Sequence, residues 1–201
     1  MNSLLSNSKF LLLTLTLVLL FGQARSWANS VPTHQESFEV SLFTGISGIA
    51  QLGETYKSIT ENTKMPFTPI DVTEDSELLK AGVVYGIAFQ TIGVKIYFKR
   101  TGSCLIVIHP PFRGSIKSKK IQLFDMVKPA QLNWEDLLAK ELGQPQFEGT
   151  SGLFGGDIYY YSWGDIEVSR IGLRQLMLYR DRTISEYRRT VKTSWVKPFP
   201  K

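Results

Sequence analysis

The sequence predicts an α+β domain built on antiparallel sheet, and three observations carry that expectation. Short runs rich in β-branched and aromatic residues fall into two groups of three: 83–90, 94–99 and 104–109, then 157–163, 166–171 and 173–179. Glycines stand in the links between these runs, where a tight hairpin calls for positive φ. A helical pattern precedes each group, over 54–63 and again after Asn133. The chain thus reads as two helix-plus-three-stranded antiparallel meander units, an internal duplication, packed as one domain. One three-stranded sheet with a single helix buries little apolar surface alone; two together bury enough.

Residues 1–28 stand apart from this body. Lys9 is the only charge before Arg25, and Phe10 to Phe21 is an unbroken run of Phe, Leu, Thr and Val. Ser26-Trp27-Ala28 then supplies small residues at the positions a leader peptidase reads. A positive start, a short apolar middle and a small-residue cleavage site describe a secretory signal cut after Ala28. The apolar run is too short for a spanning helix, which needs about 20 residues. The expected location is periplasmic or secreted.

Residues 29–37 are polar and contain Pro32, which reads as a flexible leader. Phe38 to Phe43 alternates as a first strand, and Gly45, Gly48 and Gly53 interrupt the stretch after it. The helix at 54–63 places Tyr56, Ile59 and Thr63 on one face. Pro66 and Pro69 mark residues 64–76 as loop, and Ser76 is positioned to cap a short turn at 77–80. The first meander comes next, linked by Ile92-Gly93 and by Arg100-Thr101-Gly102-Ser103, and ended by Pro110-Pro111. Residues 112–120 are basic and polar, and 121–124 suits a short strand.

The second unit opens with the clearest helix. Asn133 is a good N-cap, Glu135 and Asp136 suit the positive helix start, and Gly143 then Pro145 close it. A glycine-rich loop (Gly149, Gly152, Gly155, Gly156) leads to the second meander, whose turns carry Gly164 and Gly172. The body is expected over 38–187, with halves of about 38–116 and 117–187, and then a basic tail at 188–201.

The helix ending Leu142-Gly143-Gln144-Pro145, with an antiparallel meander after it, resembles small bacterial envelope proteins of the SmpA/BamE type. The resemblance covers Asn133 to Tyr179. It implies a compact helix-plus-sheet fold and an envelope location, in a family that assists outer-membrane assembly by binding other proteins. This chain departs from that family in having no lipobox cysteine and in its doubled plan.

Charge and cysteine usage narrow the function classes. The chain carries 23 basic and 18 acidic residues. Removing the leader takes away Lys9 and Arg25 only, which leaves a mild net charge of +3. That gives no reason to expect nucleic acid. Cys104 is the only cysteine, so it staples nothing within the chain. It sits in a strand-like run, where a buried thiol acts as a small hydrophobe.

No HExxH, P-loop, G-x-S-x-G or Cys/His metal pattern occurs, so no catalytic, metal or cofactor residue is assigned. His34 lies in the leader and His109 at a strand end, so they do not share a site. Asp157, Asp165 and Glu167 bracket a strand and its turn; such carboxylates can do acid–base work on a glycan, although Asp is ordinary at turns. The most unusual segment is Tyr159-Tyr160-Tyr161-Ser162-Trp163. Alternation puts Tyr159, Tyr161 and Trp163 on one face. Exposed there, with Gly152, Gly155 and Gly156 beside them, they would bind a protein or a glycan. Arg188, Arg189 and Lys192 in the tail suit an anionic membrane surface or an acidic partner.

The function these features favour is a non-enzymatic binding protein of the bacterial envelope, acting as an assembly factor or as an inhibitor or immunity protein. A peptidoglycan-acting enzyme and a small lipid carrier are the alternatives.

Overall fold

The computed structural model describes residues 37–73, 75–119, 121–124, 134–151, 156–169, 172–180 and 193–198. All belong to the compact unit Glu36–Lys201. Residues 1–36, with the expected cleavage site and His34, lie outside the described residues.

The strands are β1 (Phe38–Ser41), β2 (Gly45–Ile46), β3 (Ala50–Gln51), β4 (Thr68–Ile70), β5 (Tyr85–Phe89), β6 (Val94–Lys99), β7 (Gly102–Ile108), β8 (Gly114–Ile116), β9 (Gln122–Leu123), β10 (Phe147–Ser151), β11 (Gly156–Tyr161), β12 (Gly164–Ser169), β13 (Gly172–Tyr179) and β14 (Thr193–Pro198). The helices are α1 (Tyr56–Thr63), α2 (Ser76–Lys80) and α3 (Trp134–Leu142). The fold is α+β, dominated by sheet.

Among the described residues two sheets form: β3-β2-β1-β8-β9, and the larger β14-β10-β11-β12-β13-β7-β6-β5-β4. The larger one is antiparallel throughout; in the smaller one β1 and β8 run parallel.

The six strands of the two predicted meanders form, each within a few residues of its expected ends. They meet back to back, β7 against β13, with Val107 opposite Met177. The pairing registers survive exchange of the two groups about that pair. Ile108↔Leu176 becomes Leu178↔Ile106. Phe89↔Val94 becomes Tyr161↔Gly164. The second hairpin of each meander carries a bulge at the same step, Tyr97/Phe98 and Glu167/Val168. The ladders therefore equate Val94 with Gly164.

Alternation explains the core. Ile87, Phe89, Val94, Ile96, Phe98, Ile106, Ile108, Ile166, Val168, Leu176 and Leu178 cover one face of the large sheet. Val40 and Ile46 of β1 and β2, Ile116, Leu123, Ile59 of α1 and Leu138 of α3 close over them. A smaller cluster lies on the other face, where Leu105, Val107, Met177 and Tyr179 meet Val72, Ala81 and Val83.

Some local expectations need correction. Asp75, not Ser76, caps α2: its carboxylate accepts from the Glu77 and Leu78 amides at 3.1 and 3.2 Å. The segment read as loop over 64–76 contains β4, because proline is excluded only from central strands and Pro69 sits on the outermost one. The basic stretch at 112–120 contains β8, recruited by parallel pairing with β1. Gly149 lies in β10, not in a loop. Residues 193–198, read as tail, pair with β10 and extend the sheet beyond residue 187.

Cys104 is the extra residue of the β6–β7 bulge. It is buried, and its thiol donates to the Tyr97 carbonyl at 3.3 Å.

Candidate functional site

Tyr159, Tyr161 and Trp163 do share one face of β11 and its turn, but that face is the core. All three rings belong to the main buried cluster, with exposures of 6%, 6% and 5%. The reading of this strip as an exposed docking surface is therefore corrected: β11 is an interior strand with neighbours on both sides, and Leu138 of α3 joins the same cluster. The opposite face is no more open, since Ile158 and Tyr160 are buried too. Gly156 is also interior; a Cβ there would press on the Val168 carbonyl across the ladder. Gly152, Gly155, Arg188, Arg189 and Lys192 lie outside the described residues.

Within the strip, the Tyr161 and Trp163 rings stack with centroids 4.8 Å apart. The Tyr161 hydroxyl is buried and has no hydrogen-bond partner among the described residues. Burial pushes the Tyr161 phenol well above its ordinary range, and the Tyr159 phenol beside it adds to the effect. Tyr159 is pushed up to about 12, by burial first and then by the charges of Asp157, Glu135 and Glu148.

Raised phenol values give a signed pH effect. In the unfolded chain these groups ionise near pH 10; folded, they hold their protons longer. Stability is thus intact below about pH 10 and falls as pH rises toward 12, by at most about 1.4 kcal/mol per pH unit for each such tyrosine. Chemical denaturation of Tyr159→Phe at pH 9 and pH 11 checks this: the variant should lose less stability between the two than the parent.

The carboxylates named as acid–base candidates do not converge. Asp157 pairs with Val168 and shares the core face, at an exposed position. Asp165 and Glu167 pair with Tyr160 and Ile158 on the other face. Asp165 is 1% exposed and accepts a hydrogen bond from the Tyr179 hydroxyl, which also contacts the Met177 sulfur. His109 is half-buried, and its Nδ1 lies 2.7 Å from the Pro110 carbonyl oxygen.

A different aromatic group reaches the surface. Tyr56 opens α1 and meets Phe67, Tyr85 and Phe98 edge-on, at centroid distances of 5.9, 5.6 and 6.0 Å. Tyr85 opens β5 and lies flat on its cross-strand partner Phe98 at 4.8 Å. Phe98 is fully buried, whereas Tyr56 and Tyr85 are each 37% exposed. Partial burial, with the Tyr56 phenol beside it, raises the Tyr85 phenol above its usual range. The result is a corner of two nearly perpendicular phenol rings backed by Phe67 and Phe98. The neighbouring Val84 is also exposed.

Sequence reasoning missed this corner, although its signal was present. Tyr85, Ile87 and Phe89 share one strand face, and Tyr56 shares a helix face with Ile59. Each tyrosine is the outermost member of an apolar stripe, and the end of a stripe is where it emerges into solvent.

Among the described residues no group of three or more His, Cys, Asp or Glu could hold a metal ion, and no helix is long and apolar enough to cross a membrane. The chain matches no protein-family model, no curated protein and no solved structure.

Proposed function

We propose that this is an exported, non-enzymatic binding protein of the bacterial envelope that grips a protein partner through the Tyr56–Tyr85 corner. One observation carries the reading: two half-exposed tyrosines are pinned by rings beneath them. Tyrosines give large contact area with few rotatable bonds and a polar tip. Rings already held by Phe67 and Phe98 lose little further freedom when a partner arrives. Interface energy concentrates on such anchors.

The leader pattern of residues 1–28 supports export. The SmpA/BamE-like reading of residues 133–179 draws on the same end of the chain as α3: Gly143 takes a left-handed conformation (φ 84°) and its amide closes that helix onto the Ala139 carbonyl at 3.0 Å. We read the matched registers of the two meanders as an internal duplication of one helix-plus-meander unit, with β1–β3, β8, β9 and β14 added around it.

Site-specific crosslinking tests the surface. With p-benzoylphenylalanine in place of Tyr85, in the full chain expressed with its leader, irradiation should give one discrete protein adduct. Adding Tyr56→Ala should reduce that adduct at least about 10-fold, the scale of an interface anchor. The same probe at Phe43, a 69% exposed ring in the β1–β2 turn, should not give it. No adduct at position 85, or equal adducts from both positions, would remove the corner as a recognition surface.

A further inference from the structure

Two hairpin tips stand side by side at one end of the smaller sheet. β1 and β8 are parallel neighbours, with Val40 opposite Ile116, so the turns that follow them leave the sheet at the same end. The first turn, at 41–44, is closed by the Thr44 amide on the Ser41 carbonyl at 3.3 Å. The second follows Ile116: the Lys119 amide returns to the Ile116 carbonyl at 3.0 Å, and the Ile116 amide meets the Ile121 carbonyl at 3.1 Å. The Lys117 amide donates to the Val40 carbonyl at 2.8 Å and ties one tip to the other. Paired strands lie about 4.8 Å apart, so side chains from the two tips share one patch.

The tips differ in chemistry. The first presents Phe43, 69% exposed, while Leu42 beside it packs back on the core. The second presents Lys117, Ser118 and Lys119, all exposed, and Lys120 follows in sequence. Glu39 of β1 holds a carboxylate oxygen 3.9 Å from the Lys117 Nζ, an exposed pair that constrains the lysine little. Past Leu52, whose amide joins the Thr44 carbonyl at 2.7 Å, Glu54 turns its carboxylate back to the Gln51 amide, and the exposed Arg180 guanidinium lies against Gly53. Those two charges offset each other, which leaves the lysine tip as the cationic flank of the ring.

This pairing favours a lipid surface over a protein one. A single ring on a projecting turn is wrapped on all sides only by a medium that flows around it. Phenylalanine has no polar tip to keep wet, unlike the tyrosines of the corner. Lysines can lay their stems along the apolar boundary and keep their charge at headgroup level. Apolar insertion beside cationic side chains is how peripheral proteins hold an anionic bilayer. We propose that the paired tips at 42–44 and 117–119 form a membrane-contact edge, where Phe43 enters the interface of an anionic bilayer and Lys117 and Lys119 meet its phosphates. This edge is separate from the Tyr56–Tyr85 corner and stands or falls without it.

Vesicle co-sedimentation of the full chain, purified from its export compartment without detergent, tests the edge. The protein should bind vesicles in which a third of the phosphatidylcholine is replaced by phosphatidylglycerol, bind pure phosphatidylcholine more weakly, and be released by salt. Phe43→Ser should weaken binding to the anionic vesicles at least about 10-fold. Lys117→Gln with Lys119→Gln should weaken it by about 5-fold for each lysine removed. Glu39→Gln should strengthen it. All these positions are at least partly exposed, so thermal midpoints should stay close to the parent's. No binding by the parent would overturn the proposal. So would binding that survives Phe43→Ser, or that survives the double lysine change, since it would then belong to simple charge adsorption or to another part of the chain such as the basic segment at 188–201. A discrete protein adduct from p-benzoylphenylalanine at position 43 would make the tip a protein contact and overturn it too.

Discussion

Trp163→Ala is expected to cost about 3–5 kcal/mol of folding stability, the range for deleting a large buried aromatic. The ring is 5% exposed and stacked on Tyr161. Removing it leaves a cavity and strips one face of a tyrosine that already holds a buried, unsatisfied hydroxyl. The backbone contribution survives, because the Trp163 carbonyl still accepts from the Tyr179 amide at 2.9 Å. A denaturant titration should therefore show a lower midpoint with little change in slope. Tyr85→Ala provides the contrast. That ring is exposed on one side, so its removal should cost less than about 1.5 kcal/mol. If Trp163→Ala were neutral for stability, the β11 strip would have to be returned to the surface, and the division between structural and recognising aromatics would fail.

This contrast shows what the chain discloses of itself. Strand alternation located the three-ring face of β11 from the residues alone, and it was right about which side chains travel together. It could not say which face is covered. That depends on α3 and on the strands at either flank, Phe147–Ser151 and Gly164–Ser169. The meanders were legible because each strand pairs with its sequence neighbour, and local hairpins need only a periodic pattern and a glycine. Strands β4, β8 and β14 were not legible, for a shared reason. Each is short or carries proline, and the larger part of its stability comes from the strand it joins. The β1–β8 pairing spans more than seventy residues and is parallel, so nothing local announces it. The aromatic corner fell between these cases. Both tyrosines sit on recognised elements, but their meeting requires α1 to lie against the end of β5, a tertiary fact.

Gly93→Ala should cost about 2–5 kcal/mol, from two separable penalties. Gly93 closes the turn between β5 and β6 at φ 68° and ψ 37°, where an L-residue with a Cβ loses about 1–2 kcal/mol. The new methyl would also press on the His109 carbonyl oxygen, and would stand 2.9 Å from the Pro111 nitrogen and 3.0 Å from the Phe112 nitrogen. All three obstacles are backbone, and they cannot easily withdraw. The His109 amide donates to the Gly93 carbonyl at 2.9 Å, the Phe112 amide returns to the His109 carbonyl at 3.0 Å, and the Phe112 ring is 1% exposed within the core. Overpacking of this kind adds about 1–3 kcal/mol. Gly143→Ala isolates the first penalty. Gly143 has φ 84° with nothing within 4 Å of the added methyl, so only the conformational cost applies, about 1–2 kcal/mol. Equal losses in the two variants would mean that the β7 end yields freely, and that the close approach of the β5–β6 turn to residues 109–112 does not hold the first meander in place.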